Sequence, residues 1–194
     1  MQDMLTKAQN GDIKAFEDII TSYEKYIYVI AYNIMGNKED AMDASQEVAI
    51  KIYRNLKSCK GESFLKPWIG RITHNACMDA LRKRKGKETY SLDEMQGEES
   101  GKPSMQIEDS ALGPEALLLQ KELSGQIRDV LQKLPTNLQA LIILRDIQDH
   151  SYEEIVQILD LPEGTVKSRL FRARAKLKEL LIAEQIGVSM RHSI

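Results

Sequence analysis

Apolar side chains in the first part of the chain recur every three or four residues, the spacing of one face of an α-helix. One such run covers residues 12–35 and ends at Gly36. A second run covers residues 37–56, and its spacing places Ala41, Ala44, Val48, Ile52 and Tyr53 on the apolar face. A third run, covering residues 67–85, has a proline suited to its first turn. These three helices predict a small helical domain over residues 1–87.

The helical spacing is lost between residues 88 and 114, where Gly, Ser, Pro, Asp and Glu dominate. Such a segment buries too little apolar surface to fold, so we interpret it as a flexible linker. Helical spacing returns over residues 115–183, and residues 184–194 form a tail without an interpretable pattern. Four helices are predicted there, over residues 115–134, 136–147, 151–159 and 163–183. With no strand pattern, the fold is predicted to be all-α: two small helical domains, the first a helical bundle and the second a four-helix domain.

The last two helices have the pattern of a helix-turn-helix unit. Ser151 and Glu154 have the spacing of a capping box at a helix start, and a short turn over residues 160–162 separates this helix from the next. In the last helix, apolar residues every three or four positions give one buried stripe. The other faces carry six basic residues, Lys167, Arg169, Arg172, Arg174, Lys176 and Lys178.

A basic amphipathic helix after a tight turn suits the major groove of duplex DNA. Four residues near its leading end are candidates for contacts to base edges: Lys167, Ser168, Phe171 and Arg172. Three neighbours are candidates for contacts to phosphates: Thr165, Arg169 and Arg174. The alternative is a solvated basic helix with Phe171 packed into the core.

The formal net charge of -2 argues against a nucleic-acid ligand only until it is resolved along the chain. Residues 66–87 hold seven basic side chains and one acidic one, and residues 162–194 hold seven and three. Between them, residues 88–115 hold one basic and eight acidic side chains. Two basic stretches flanking an acidic one are compatible with a polyanionic ligand that contacts both.

Composition narrows the class of protein further. With 42% apolar and 29% charged residues the chain is predicted to be globular, and it starts without a secretory signal or a membrane-spanning stretch. We expect a cytoplasmic protein without stable membrane insertion. Cys59 and Cys77 are too few for a disulfide framework, and the His74/Cys77 pair alone does not make a zinc site. No metal and no cofactor are predicted.

The second helix places Asp40, Asp43 and Glu47 on one face, with Gln46 beside them. Three interpretations remain open. The face is an ordinary solvated one, or a two-metal nuclease site, for which no matching ligands converge from elsewhere, or a docking face for a basic partner protein.

The third helix and the residues before it combine basic side chains with rings and an amide. The candidates here are Phe64, Trp68, Arg71, His74, Asn75, Arg82 and Lys83. This mixture suits extruded, single-stranded bases better than an intact duplex. Phe64 and Trp68 are equally compatible with a place in the core.

Taken in order, these segments resemble one family, the extracytoplasmic-function (group 4) sigma factors of bacterial RNA polymerase, in the sigma-70 family. Residues 40–48 are similar to its DAxDxxQEx segment, and residues 64–84 to its stretch with F-x-x-W, R-I-x-x-N and R-x-x-R. Leu134-Pro135, residues 151–155 and residues 164–174 are similar to its promoter-binding domain. The resemblance covers nearly the whole chain.

The resemblance implies a two-domain factor that has no catalytic activity of its own and assists promoter melting. Asp40, Asp43, Gln46 and Glu47 would dock on the clamp coiled coil of the largest polymerase subunit. Residues 58–67 with Asn75 would capture an unpaired base of the minus-ten non-template strand, and the last helix would read the minus-thirty-five duplex. The acidic linker would follow the polymerase's nucleic-acid channel, and an anti-sigma protein is an expected partner.

Three positions depart from the family pattern. Ala49 stands where a large apolar residue is common, Gly70 where a bulkier residue is frequent, and His150 where glycine or leucine is frequent. A glycine inside a helix costs roughly 1 kcal/mol relative to alanine, so we expect a packing or DNA-approach reason for Gly70.

Two other classes of function remain as alternatives. A free-standing helix-turn-helix regulator would bind a palindromic duplex as a dimer, without polymerase, but leaves the first domain unexplained. An enzyme using the Asp40/Asp43/Glu47 face would show metal-dependent turnover.

Overall fold

A computed structural model of the chain describes the backbone of residues 2–90 and 125–191 and the side chains of residues 4–84 and 125–184. Within these ranges the regular structure is helical and contains no strand, which confirms the all-α prediction. No helix in the same ranges is long and apolar enough to cross a membrane.

The N-terminal domain contains four α-helices. They are α1 (Gln2–Gln9), α2 (Ile13–Met35), α3 (Lys38–Asn55) and α4 (Leu65–Tyr90), with short 3₁₀ turns at Leu56–Ser58 and Glu62–Phe64. Helix α1 was not predicted, because eight residues are too few to show a clear period. Its Leu5 and Ala8 are buried, so packing against the other helices holds it in place.

Local capping explains the predicted boundaries. The Asp12 side chain accepts from the Ala15 amide at the start of α2, and Gly36 ends α2 with a φ of 83°, which favours glycine. The Asn37 side chain accepts from the Asp40 amide at the start of α3. Helix α4 begins two residues before Pro67, which is tolerated there because an amide in the first turn has no helical partner.

The C-terminal domain contains α5 (125–132), α6 (Thr136–Ile142), α7 (Tyr152–Leu159) and α8 (Glu163–Arg191). The predicted helix over 136–147 ends in a π-helical turn at Ile143–Ile147, and α8 extends beyond its predicted end at 183. Helix α4 also continues past its predicted end, to Tyr90. The predicted linker from residue 91 onwards, and residues 115–124 of the predicted helix, lie outside the described residues.

Two clusters of buried side chains hold the molecule together. One lies within the N-terminal domain and includes Ile19, Ile52 and Ile69, together with Cys59. The other combines residues of both domains. Its members include Ile30, Ile34 and Cys77 from the first domain and Leu141, Ile155, Ile158 and Leu170 from the second. Both cysteines are buried, as expected of small apolar residues, and the two helical domains share a core.

Candidate nucleic-acid interface

One exposed stripe of α4 carries most of the residues predicted to contact a single strand. Trp68, Arg71, Asn75 and Arg82 follow one another at intervals of three, four and seven, so they share a helix face. Arg71, Asn75 and Arg82 are exposed, and Trp68 is half-buried against the N-terminal core. The stripe therefore offers cations and an amide to solvent, with a ring at one end.

Three further candidates lie in different surroundings: Lys83 and His74 on α4, and Phe64 just before it. Lys83 is exposed beside Arg82, and Phe64 is 46% exposed just before α4, so it is not a core residue. His74 is only partly exposed, and burial lowers the pKa of its imidazole below the usual value. A neutral His74 contributes a hydrogen-bonding edge to this surface but no positive charge.

The acidic face of α3 is divided between exposed and locally paired side chains. Asp43, Gln46 and Glu47 are exposed. The Asp40 carboxylate accepts from Asn37 Nδ2 at 2.7 Å and from Arg84 Nη1 at 3.2 Å. Asp40 thus ties the start of α3 to the basic end of α4. Glu47 lies 3.7 Å from Lys51 Nζ in an exposed ion pair that a partner can replace at small cost, and Asp43 and Gln46 are exposed beside it. No group of three His, Cys, Asp or Glu in the described ranges is placed to hold a metal ion.

Beside this acidic face lies an apolar stripe that the sequence analysis missed. Met42, Ile50 and Tyr53 are 46%, 45% and 59% exposed. The helical spacing had placed Tyr53 on the buried face, which is wrong, because Ile52 occupies the core and Tyr53 stands about 100° round the helix from it. The sequence signal for these exposed side chains was the presence of apolar residues outside the regular buried positions of α3. An acidic face with apolar side chains beside it is suited to protein contact.

The predicted capping box of α7 is present. Ser151 Oγ accepts from the Glu154 amide at 3.2 Å, and a Glu154 carboxylate oxygen accepts from the Ser151 amide at 2.9 Å. Helix α7 ends at Leu159, the next residue Asp160 has a φ of 55° and reverses the chain, and α8 begins at Glu163. Helices α7 and α8, with the short turn between them, form the predicted helix-turn-helix unit.

Helix α8 separates its buried stripe from its candidate DNA-contacting residues. Val166, Leu170 and Ala173 are buried, as their spacing predicted. Phe171 is 76% exposed, which excludes the alternative that it packs in the core. Lys167, Ser168 and Arg172 are exposed, and Thr165 and Arg169 are half-buried beside them.

Two basic candidates of α8 already have acidic partners within the chain. Arg174 Nε donates to Asp146 Oδ2 at 3.1 Å, and Lys167 Nζ lies 2.6 Å from Glu163 Oε1. The Glu163 carboxylate raises the pKa of the Lys167 amine above its usual value. Exposed ion pairs of this kind contribute little stability, so a phosphate can replace either acid at small cost.

The chain matches two family descriptions, in the order of its two domains. Residues 19–87 match "Sigma-70 region 2", and residues 124–177 match "Sigma-70, region 4". The ECF RNA polymerase sigma factor SigW of Bacillus subtilis (strain 168) is 35% identical over 178 residues, which cover 91% of this chain and 94% of that protein. This chain belongs to the ECF RNA polymerase sigma factors. Region 2 contains the exposed stripe of α4 and the acidic face of α3, and region 4 contains the helix-turn-helix unit.

A further relative supports the same family, and two solved structures share its fold. The ECF RNA polymerase sigma-E factor of Escherichia coli (strain K12) is 35% identical over 177 residues, covering 89% of this chain and 90% of that protein. CnrH, solved in complex with the cytosolic domain of CnrY, has a TM-score of 0.67 at 22% identity, covering 94% of this chain and 97% of that one. RpoE of Bartonella quintana, solved with the anti-sigma factor NepR, has a TM-score of 0.69 at 24% identity, covering 87% and 97%. These two structures share the fold of this sigma factor.

Proposed function

We propose that this sigma factor directs core RNA polymerase to promoters through three surfaces, each on a different helix. The observation that carries the proposal is that one chain exposes two unlike surfaces, each with the side chains that suit nucleic acid. Helix α4 presents Arg71 and Asn75 beside a half-buried Trp68, and α8 presents an exposed Phe171 among basic side chains. A free-standing duplex binder would need only the second surface.

The stripe of α4 is suited to the melted minus-ten strand. Asn75 can donate to and accept from the edge of an unpaired base, while Phe64 and Trp68 offer rings for stacking. Arg71, Arg82 and Lys83 are placed to hold the phosphates of that strand. His74, neutral and partly covered, is placed beside this path.

The leading part of α8 is suited to the minus-thirty-five duplex. Lys167, Ser168, Phe171 and Arg172 are exposed where a recognition helix contacts base edges. Phe171 offers apolar contact with a thymine methyl group, and Arg172 a bidentate contact to guanine. Thr165, Arg169 and Arg174 are placed for phosphates, with Arg174 exchanging Asp146 for DNA.

Helix α3 is suited to the polymerase itself. Asp43, Gln46 and Glu47 give an acidic, hydrogen-bonding face for the basic surface of a clamp coiled coil. Met42 and Tyr53 add apolar area to the same contact. In this assignment the chain supplies recognition and promoter melting, the polymerase supplies all catalysis, and both act in the cytoplasm.

An anti-sigma protein is the remaining proposed partner. CnrH was solved with the cytosolic domain of CnrY, and RpoE of Bartonella quintana with the anti-sigma factor NepR. The shared fold supports a similar association for this chain.

The test is transcription by core RNA polymerase on fragmented genomic DNA, with and without this protein, followed by sequencing upstream of the starts. We expect starts that depend on the protein and share two sequence elements. Absence of protein-dependent starts on every fragment would overturn the proposal. Tight dimeric binding to a palindrome without polymerase would instead support the regulator alternative.

Asn75→Ala separates melting from docking in the same assay. We expect it to reduce open-complex formation while polymerase binding is unchanged, because Asn75 lies on α4 and the residues assigned to docking lie on α3. Asn10→Ala is a control that removes the same side chain at an exposed position outside α3 and α4. Loss of polymerase binding in Asn75→Ala would contradict the role given to this residue.

A further inference from the structure

The first helix of the chain packs beside the segment that leads into α4, the helix assigned to the minus-ten strand. Helix α1 precedes the residues that match region 2, which begin at residue 19. Its Leu5 and Ala8 are buried, so α1 is held firmly on the N-terminal core. A helix fixed in this way can support the backbone that it contacts.

Gln9, the last residue of α1, holds the start of this segment through both hydrogens of its side-chain amide. Nε2 donates to the carbonyl of Leu56 at 3.0 Å and to the carbonyl of Cys59 at 2.9 Å. A carbonyl can only accept, so the nitrogen of the amide, and not its oxygen, faces this pair. The two bonds join positions 47 and 50 residues apart, and they fix the backbone at both ends of the 3₁₀ turn at Leu56–Ser58.

Residues 59–64, which we call the capture loop, connect this turn to α4. Cys59 at the start of the loop and Leu65 just after its end are buried. Gly61 inside the loop has a φ of 154°, and a glycine does not itself restrict the backbone, so the order of the loop depends on its two ends. Phe64 is exposed and is one of the rings proposed to stack on the melted strand. The position of that ring therefore depends on what holds the loop.

Helix α1 also contacts the far end of the capture loop. Met4 and Leu5 line a small pocket together with Glu62 and Leu65. Leu5 and Leu65 are buried, so apolar packing supports this end of the loop, whereas hydrogen bonds support the other. Helix α1 thus supports both ends of the loop, although it carries none of the residues assigned to DNA.

We propose that Gln9 is a positioning residue for recognition of the minus-ten element: it holds the capture loop in the conformation that presents Phe64 to an unpaired base. Helix α1 thereby contributes to the choice of base without touching DNA. The assignment of the loop to the minus-ten strand rests on the proposed function. The support of the loop by Gln9 rests on its two hydrogen bonds.

Base discrimination is more sensitive to loop position than general DNA affinity is. Contacts that distinguish one base from another require close placement, whereas phosphates are held by long, adaptable cations. A loop that is ordered before binding also loses less conformational freedom when the base enters. Loss of the Gln9 bonds should therefore reduce the preference for the correct base more than it reduces binding to DNA in general.

Two substitutions separate the donors of Gln9 from the size of its side chain. Gln9→Met is neutral and of similar length but has no donor, so the carbonyls of Leu56 and Cys59 lose their partner. Gln9→Lys keeps the donors, because an ammonium group has three hydrogens and can donate to both carbonyls. The adjacent Asn10 is exposed, and Asn10→Met and Asn10→Lys are matched controls for the added apolar area and the added charge.

Hydrogen exchange of the full chain, followed by mass spectrometry, measures the order of the capture loop without polymerase. We expect the amides of residues 57–64 to exchange about fivefold faster in Gln9→Met than in the parent, with no change in Gln9→Lys or the controls. Unchanged exchange in Gln9→Met would overturn the support of the loop by Gln9. Circular dichroism checks folding, and Gln9→Asn, the same amide one methylene shorter, serves if Gln9→Met does not fold.

Open-complex formation by the reconstituted holoenzyme is the second readout, on promoters with single bases substituted in either element. We expect Gln9→Met to reduce the preference for the native base at one minus-ten position by about fivefold, and Gln9→Lys to keep it within about twofold. Preferences in the minus-thirty-five element and binding to core polymerase should be unchanged, which a merely structural role would not predict.

Three results would overturn the positioning role. They are an equal loss at every position of both elements, a full minus-ten preference in Gln9→Met despite faster exchange, and the same defect in Gln9→Lys as in Gln9→Met. Absence of promoter-specific open complexes with the parent protein would instead refute the proposed function. Hydrogen exchange would still decide whether Gln9 holds the loop.

Discussion

Single residues explain departures from the family pattern that the sequence left without a reason. Gly70 and His150, two of the three positions that the sequence analysis expected to differ from the family pattern, both lie against Tyr26 in the contact between the domains. The conformational cost of a glycine inside α4 is offset by the close approach that it allows. At this scale the two departures belong to one interface.

The protonation of His150 gives a prediction at the same scale. Burial is the main cause that lowers the pKa of this imidazole, and the positive charge of Lys66 acts in the same direction. The Glu154 carboxylate opposes them, the Tyr26 hydroxyl faces Nε2, and the Arg145 guanidinium donates to the His150 carbonyl at 2.6 Å. The folded chain therefore binds this proton less readily than the unfolded chain.

We expect the His150 contribution to stability to be complete above its unfolded pKa of 6.5 and to be lost as the pH falls below it. Thermal unfolding between about pH 7.5 and about pH 5.5 measures this loss, which should be of order 1 kcal/mol. His150→Gln should flatten the profile, and His74→Gln provides a comparison because the pKa of His74 is also lowered. Identical profiles for the parent and His150→Gln would contradict the assignment.

The recognition helix gives a second residue-scale prediction. Arg172→Ala should cost ~1–3 kcal/mol at promoters with one particular base and little elsewhere, since Arg172 is assigned to a base edge. Arg169→Ala should weaken binding to all promoters alike and reduce the salt slope by about one, as expected for a phosphate contact. Affinities of the reconstituted holoenzyme for a panel of substituted promoters measure both. The same base dependence in both variants would refute this division of roles.

Among the helices, α4 has the most constrained sequence, because one of its faces is exposed to solvent and another packs against the C-terminal domain. One face leaves Arg71 and Asn75 in solvent, and another places Gly70 beside Ile158 of region 4 and Cys77 in the core that the two domains share. Few apolar positions remain for a simple amphipathic period, so its spacing alone gives no clear indication of a second buried face.

Helix α3 gives a prediction at this scale, since its carboxylates differ in their local partners. Asp43→Ala should weaken polymerase binding without changing the thermal midpoint, because no described contact of Asp43 holds the fold. Asp40→Ala should lower both polymerase binding and the thermal midpoint, because the Asp40 carboxylate accepts from Asn37 and Arg84. The loss in the free energy of unfolding should be about 0.5–1.5 kcal/mol. Binding to core polymerase and thermal unfolding measure the two effects separately. A larger loss of stability in Asp43→Ala than in Asp40→Ala would contradict this distinction.

Across the whole molecule, the two domains are joined by apolar packing and by the buried contact of Tyr26 with His150. The Arg71–Asp160 pair at the edge is largely exposed, with side-chain exposures of 51% and 84%, and contributes little. DNA binding by basic side chains depends on a different force, the release of counterions from phosphates.

These forces respond differently to salt. Raising the salt concentration from about 50 mM to about 200 mM should lower promoter affinity by a factor of ten or more while leaving domain separation unchanged, because salt screens exposed charges but not buried contacts. Energy transfer between fluorophores on Lys57→Cys and Lys178→Cys, both exposed positions, and promoter binding by the same labelled protein test this. Arg71→Ala should likewise leave domain separation unchanged. A salt-induced separation of the domains in the free protein would show that charge pairs, not packing, hold the two domains together.

Local patterns determined much of this protein from sequence. Helix periods, the capping box at Ser151 and the stops at Gly36 and Asp160 depend on neighbours a few residues away, so they can be recognised without the fold. The order of the motifs likewise indicated the family and the candidate surfaces on α3, α4 and α8. Local patterns were insufficient in two places. Helix α1 is too short to show a period, and the spacing assigned Tyr53 to the buried face although it is exposed.

Only the tertiary structure decided what lies between the domains. Tyr26 and His150 are separated by 124 positions, so no local period relates them, and their hydrogen bond exists only when α2 and the segment before α7 are brought together. The exposure of Phe171 and the pairing of Arg174 with Asp146 were decided in the same way. Burial and long-range contacts depend on how helices pack, and a helix period specifies which side is apolar but not which neighbour covers it.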